Sequence, residues 1–377
     1  MFENTKAICD SFLEMGVPGY DLLVYQDGKE LLRLMNGVRD FDTQEPIQGN
    51  ELYNIYSCSK PLTVTAAMQL WEQGKFSLDD ELRMYMPEFG DMMVRSNNGP
   101  VKAETPIYIH NLFSMTAGFN YDLHLPQLEQ LRLDTQGRCP TREVARYLAK
   151  EPLIFQPGTK YMYSLCHDVL AAFVEVVSGQ KFEEYVKENI FDRVGMTRSD
   201  FLPPMERYKD ITTLYLYNEK RQKAYPYHNQ APVYRLGTEH ASGGAGCMST
   251  VEDYMKFLEA LRTGETLLKR DTIDLITTDR LTEQQRATYT NPIDLYGYGL
   301  GMKCPTSISE RTDFGWGGAA GASLHVDIPH GISVYYAQHV VLSPNQAIRT
   351  RVYLSIIDEL YGTHFAPNYT QQAGLTY

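Results

Sequence analysis

Tyr56-Ser57-Cys58-Ser59-Lys60-Pro61 sets a serine three residues before a lysine, just ahead of a stretch that can start a helix. Residues three apart share a helical face, so the Ser57 hydroxyl and the Lys60 amine can meet. Pro61 is tolerated only in a first helical turn, which puts Ser57 at the amino end of whatever follows. From Leu62 through Val64, Ala66, Ala67, Leu70 and Trp71 the run is apolar nearly all round, as for a helix buried on every side, and Gly74 supplies a stop. A hydroxyl in that place feels the positive end of the helix dipole, beside N–H groups able to hold an oxyanion. The residues alone leave two readings of Ser57 open, a helix-capping serine and a nucleophile. The same spacing recurs at Ser178-Gly179-Gln180-Lys181, but there the apolar run Phe173, Val174, Val176, Val177 ends in Ser-Gly, which reads as a helix carboxyl end and turn.

Around this stretch lie 377 residues, enough for one large domain or two intimate lobes. A hydrophobic share of 43% marks a globular chain rather than a disordered one. The net charge of -12 argues against nucleic acid or an anionic membrane surface as partner, and leaves small neutral or cationic substrates open. The amino terminus mixes charges into an amphipathic pattern and does not read as a signal peptide. The longest apolar stretch, Gly331 to Leu342, is interrupted by Gln338 and His339 and reads as a strand rather than a membrane span. Six cysteines, Cys9, Cys58, Cys139, Cys166, Cys247 and Cys304, show no Cys-x-x-Cys pairing, which fits reduced thiols and a cytoplasmic location. No histidine spacing suggests a catalytic metal, and no Gly-x-Ser-x-Gly elbow or Gly-rich phosphate loop is present, so neither metal nor cofactor is expected.

The chain ends read as one α/β layer. Residues 20–26 and 30–35 flank Asp27-Gly28, a strong hairpin turn, and Ser323 to Ile328 with Gly331 to Val341 form a second hairpin. Ile348, Val352, Ile356 and Leu360, four apart, give a terminal helix one packing face. The middle reads as mostly helical, with a capping box at Ser77-Leu78-Asp79-Asp80 and turns such as Gln156-Pro157-Gly158. The expected organisation is an antiparallel sheet lobe from residues 1–60 and 301–377, flanked by terminal helices, with a mostly helical lobe from 61–300 inserted between.

Several segments in order, from about residue 50 to 325, resemble the serine β-lactamase and penicillin-binding-protein superfamily on its class C side. Besides Ser57-x-x-Lys60 they are Leu112-Phe113-Ser114-Met115-Thr116-Ala117-Gly118, Phe155-Gln156-Pro157-Gly158-Thr159, Tyr163-Ser164-Leu165, Ile190-Phe191-Asp192-Arg193-Val194-Gly195-Met196 and Gly243-Gly244-Ala245-Gly246. The resemblance implies a β-lactamase/transpeptidase-like α/β fold with its site in the cleft between the lobes. Two departures make the chain most similar to family VIII carboxylesterases and related acyltransferases. The Tyr-x-Asn of lactamases reads Tyr163-Ser164-Leu165, and their Lys-Thr-Gly reads Trp316-Gly317-Gly318, so the amide and the cation that hold an antibiotic are both missing.

Carried over residue by residue, the resemblance implies Ser57 as nucleophile, Lys60 as its hydrogen-bonded cation, and Tyr163 as general base or proton relay. A phenol is ordinarily protonated at neutral pH, so a tyrosine base needs a neighbouring cation, and Lys60 is the one the motifs supply. Trp316 becomes an apolar wall, Leu165 joins it at the substrate, and Gly317 and Gly318 allow a substrate to lie close along the strand. The oxyanion donors fall on the backbone N–H groups of Ser57 and Ala319. The expected activity is cleavage of small carboxylic esters through an acyl-enzyme. Acyl transfer, a lactamase or D-amino-acid peptidase, and a silent ligand-binding homologue are its rivals.

Overall fold

The computed structural model describes residues 1–227, 234–289 and 296–367. Seven antiparallel strands form its main sheet: β1 (Gly19–Gln26), β2 (Lys29–Gly37), β3 (Tyr296–Tyr298), β4 (Lys303–Pro305), β5 (Phe314–Gly317), β6 (Ser323–Asp327) and β7 (Ile332–Ala337), in the order β2-β1-β7-β6-β5-β4-β3. The first hairpin turns where expected, on Asp27 and Gly28, both with positive φ, the geometry that matches the twist of paired strands. Both chain ends feed the sheet, whose far edge reaches back to Tyr296 rather than starting at 301, because β3 pairs with β4 through a short turn.

Five helices frame this sheet and the site: α1 (Glu3–Glu14), α2 (Ser59–Glu72), α3 (Cys166–Ser178), α4 (Val251–Thr263) and α5 (Thr350–Tyr361). Strand alternation decides which helix meets which face. Tyr20, Leu22 and Val24 of β1, with Val334 and Tyr336 of β7, pack against Phe12 of α1 and Ile356 of α5. Leu23 and Tyr335 turn the other way into the main core, where Tyr335 stacks on Tyr254 of α4 at 4.4 Å. Helix α2 runs through that core with every residue from Ser59 to Met68 buried. Truncating one of its large side chains, as in Leu62→Ala, costs about 2–5 kcal/mol.

Two expectations are corrected. Ser77–Asp80 starts no helix: the Asp80 carboxylate accepts the Ser77 N–H at 2.8 Å and the Asp80 N–H returns to the Ser77 carbonyl, closing a turn. The expected strand Gly331 to Val341 stops at Ala337, because Gln338 is held by Tyr336, Ser343 and Asn345; Val340–Val341 instead pair parallel with Tyr215 and Leu216 in a separate small sheet. Among the described residues, no helix is long and apolar enough to cross a membrane.

Candidate active site

Ser57 sits in a single 3₁₀ turn, Tyr56–Cys58, that runs straight into α2, so it lies at the amino end of the helix as its sequence requires. Tyr56 just before it has φ 48°, a left-handed conformation that a tyrosine adopts only at an energetic cost. Surrounding bonds hold the turn in place. Tyr53–Asn54 pair with Met248–Ser249, Ile55 N–H donates to the Cys247 carbonyl, Cys247 N–H donates to Ser59 Oγ, and the Tyr254 hydroxyl donates to the Cys58 carbonyl at 2.6 Å. The Ser57 hydroxyl itself caps no helix; its side-chain partners are Lys60 Nζ at 3.3 Å and Tyr163 Oη at 2.5 Å.

Lys60 is fully buried, an expensive place for an ammonium unless acceptors surround it. Its Nζ donates to the Gly244 carbonyl at 2.7 Å and lies 4.4 Å from the centre of the Tyr163 ring. Beneath it is a carboxylate that the motifs did not single out. Asp168, in the first turn of α3, takes the Ser242 hydroxyl at 2.6 Å, and His240 Nε2 lies 3.3 Å from the same oxygen. His240 Nδ1 accepts the Leu236 N–H, which leaves the ring proton on Nε2, facing Asp168. Burial alone would raise the Asp168 pKa, but the contacts with His240 and Ser242 and the charge of Lys60 outweigh it and hold the carboxyl below its usual range. A side chain at Gly244 would strike Asp168 Oδ2 at 2.7 Å and come within 3.5 Å of Lys60 Nζ, so the glycine lets the carboxylate and the amine approach. Next to Asp168, His167 is driven down to about 3 by burial and by Lys60.

Tyr163 is held from both sides. Its ring stacks on Tyr121 at 5.3 Å and on Trp316 at 5.6 Å, and the Trp316 Nε1–H points at Tyr163 Oη across 3.4 Å. Trp316 is therefore more than an apolar wall, since an indole N–H aimed at a phenol oxygen favours negative charge there. Burial pushes the Tyr121 phenol up, which keeps it protonated beside Tyr163. The motif segments explain the placement: Met162 N–H donates to the Met115 carbonyl, Leu165 N–H to Asn120, and Gly158 N–H to Thr116. Leu165 departs from expectation. It flanks the start of α3, is buried in the main core, and does not line the cavity, because the chain turns inward into α3 directly after Tyr163.

Ser57, Tyr163, Trp316, Gly317, Gly318 and Ala319 share one cavity of about 740 Å³. A side chain at Gly318 would strike the Ile55 carbonyl at 2.4 Å, so only glycine lets the end of β5 close on the Ser57 turn and carry Ala319 to it. The cavity wall beyond Trp316 is aromatic: Tyr161 packs edge-on against Tyr289 at 4.9 Å and Tyr298 at 5.2 Å. Nothing separates these rings from the chain's other tyrosines in the sequence, since they come from distant segments. Among the described residues, no cluster of His, Cys, Asp or Glu has the makings of a metal site.

A family model described as Beta-lactamase matches residues 6–355, and the chain belongs to that family. Esterase EstB of Burkholderia gladioli is similar at 26% identity over 374 residues, covering 87% of this chain and 88% of the relative. Protein Rv1367c of Mycobacterium tuberculosis is 28% identical over 365 residues, covering 89% and 88%. Among solved structures, EstCE1, a hydrolase with promiscuous acyltransferase activity, superposes with a TM-score of 0.79 at 23% identity, over 96% of this chain and 98% of its own. A simvastatin synthase (LovD) mutant from Aspergillus terreus gives 0.77 at 22%, over 94% of each chain. The fold is that of the β-lactamases and transpeptidases.

Proposed function

We propose that the protein is a cytoplasmic serine hydrolase that cleaves small carboxylic esters through an acyl-enzyme on Ser57, with no cofactor. The observation that carries this reading is the 2.5 Å contact between Ser57 Oγ and Tyr163 Oη, made beside the buried Lys60 ammonium. Ser57 Oγ attacks the ester carbonyl as Tyr163 takes its proton; the backbone N–H groups of Ser57 and Ala319 face the oxyanion; Tyr163 returns the proton to the departing alcohol. Water then repeats the sequence and releases the acid. Lys60, 4.4 Å from the Tyr163 ring, and the Trp316 N–H stabilise the phenolate that Tyr163 must be before it takes the serine proton and becomes again once it has handed that proton on.

Three features favour an ester over a lactam. Leu165 and Trp316 replace the groups that grip an antibiotic, the cavity wall is aromatic, and the similar proteins include an esterase. All six cysteines are free and buried, in keeping with a reducing compartment. The test compares p-nitrophenyl acetate and butyrate with nitrocefin at equal enzyme concentration. We expect the esters to turn over far faster, whereas comparable rates would return the protein to the lactamases. Added alcohols measure transfer against hydrolysis, since a cavity of about 740 Å³ has room for an acceptor larger than water.

A further inference from the structure

The same cavity holds a second constellation, on the side of the sheet away from Trp316. Alternate residues of β6 divide between the faces: Leu324 and Val326 enter the main core, while Ser323, His325 and Asp327 face α5. Ser323 and His325 both line the cavity. His325 Nδ1 lies 2.8 Å from Asp313 Oδ2, and its Nε2 lies 3.2 Å from Ser323 Oγ. A carboxylate only accepts, so the ring proton is on Nδ1 and Nε2 presents its lone pair to the serine hydroxyl. The imidazole is fixed by stacking on Tyr353 at 4.5 Å and 6°. Asp313 is fully buried and anchored by Arg311 Nε at 3.1 Å and by the Tyr296 hydroxyl.

The charges around the ring suit a base that stays neutral at rest. Burial, then the pull of Asp313 set against the repulsion of Lys303 and Arg311, leave His325 below its ordinary pKa, while Arg311 and His325 outweigh burial to keep Asp313 ionised. Lys303 and His325 are both in register with Gly315, one strand to either side, and a side chain there would strike the Leu324 carbonyl at 2.0 Å. No side chain therefore stands between the ammonium and the imidazole.

We propose that Ser323, His325 and Asp313 form a second acylation site, opening on the same cavity as Ser57 and taking the same class of small carboxylic esters. It shares its substrate class with the Ser57 reading but not its nucleophile. Ser323 Oγ forms the new bond to the ester carbonyl carbon while its proton passes to His325 Nε2. The tetrahedral intermediate expels the alkoxide, which leaves as alcohol with that proton. Water, deprotonated by His325, then attacks the acyl group, releases the acid and restores the Ser323 hydroxyl. Asp313 holds the tautomer and offsets the imidazolium charge throughout.

A fluorophosphonate reacts in the same way, forming an Oγ–P bond and releasing fluoride, and peptide mapping of the labelled wild-type protein separates the two readings. We expect label on the peptide containing Ser323 as well as on the one containing Ser57. Label on Ser57 alone overturns the second site; label on Ser323 alone overturns the Ser57 reading and leaves this one standing; no label overturns both. Asp313→Asn should slow Ser323 labelling at least about a hundredfold, the scale lost when a triad's orienting carboxylate is removed. A purely structural role for Asp313 would leave that rate unchanged in a variant that remains folded by circular dichroism, and that result too overturns the triad.

Discussion

Two Ser-x-x-Lys stretches in this chain share their spacing and nothing else. At Ser57 the serine opens a helix, Lys60 is buried, and the two side chains meet at 3.3 Å under a tyrosine. At Ser178 the serine ends α3, Gly179 reverses the chain with φ 75°, and the Ser178 hydroxyl turns back to accept the Gln180 N–H at 3.1 Å. Lys181 then stands exposed at the head of the next short helix. Three-residue spacing brings side chains together only while the helix continues through both positions. A lysine amine matters to a neighbouring hydroxyl only where water does not screen it.

The sharpest way to break this contrast is Ser57→Ala. Ester turnover through Ser57 should be lost, leaving only the rate that the Ser323 site supplies, while the fold loses about 1 kcal/mol, the worth of a hydrogen bond rather than of a cap. Tyr163→Phe should lower the acylation rate about a hundred- to ten-thousand-fold, the range supplied by a general base. Lys60→Ala should cost as much, and the double variant little more, since the two act as a unit. Near-normal turnover in Tyr163→Phe would make Lys60 the base.

Asp168→Asn tests whether the carboxylate beneath Lys60 matters. It should lower kcat about tenfold, the effect of one pKa unit, with the pH profile displaced and KM little changed. A structural carboxylate would change stability and leave the profile where it was.

The next effect is on stability. His167, neutral in the folded state with a value of about 3, ordinarily takes its proton near 6.5. Between those values the unfolded chain binds a proton that the native state does not, so this group's contribution is present above 6.5 and is lost as pH falls towards 3. His167→Gln has nothing to charge. The stability gap between wild type and variant should therefore narrow by about 2 kcal/mol from pH 7.5 to pH 5, read by urea titration at each pH. A gap independent of pH would mean that His167 takes its proton as readily in the fold as in the unfolded chain. Smallest of all is Ser178→Ala, which should leave turnover unchanged. Any loss of activity there would remove the distinction between the two stretches.

Much of this was legible in advance where one local rule governs. Asp27-Gly28 fixed a hairpin by φ alone, and Pro61 with an apolar run fixed α2 and its starting point. The family motifs led to Ser57, Lys60, Tyr163 and the close strand at Gly317-Gly318. Leu165 departs from its reading because its place in the Tyr-x-Asn motif points to the substrate, whereas the helix that begins there turns its side chain inward. Asp168 and Tyr121 escape the sequence reading for the opposite reason. Their neighbours in space come from remote segments, and a buried carboxylate declares itself only when its partners are known. For Asp168 one signal was available: it lies five residues after Tyr163, in a helix whose next six residues, Val169 to Val174, are all apolar.

The central claim is that Ser57 carries the acyl group during turnover. The most direct test is to mix the enzyme with p-nitrophenyl acetate, quench in acid during the burst of p-nitrophenol, and map the acetylated peptides by mass spectrometry. The account predicts acetyl on the peptide containing Ser57, formed within the burst and lost in Tyr163→Phe. A burst from the wild-type enzyme with the Ser57 peptide unmodified would contradict it.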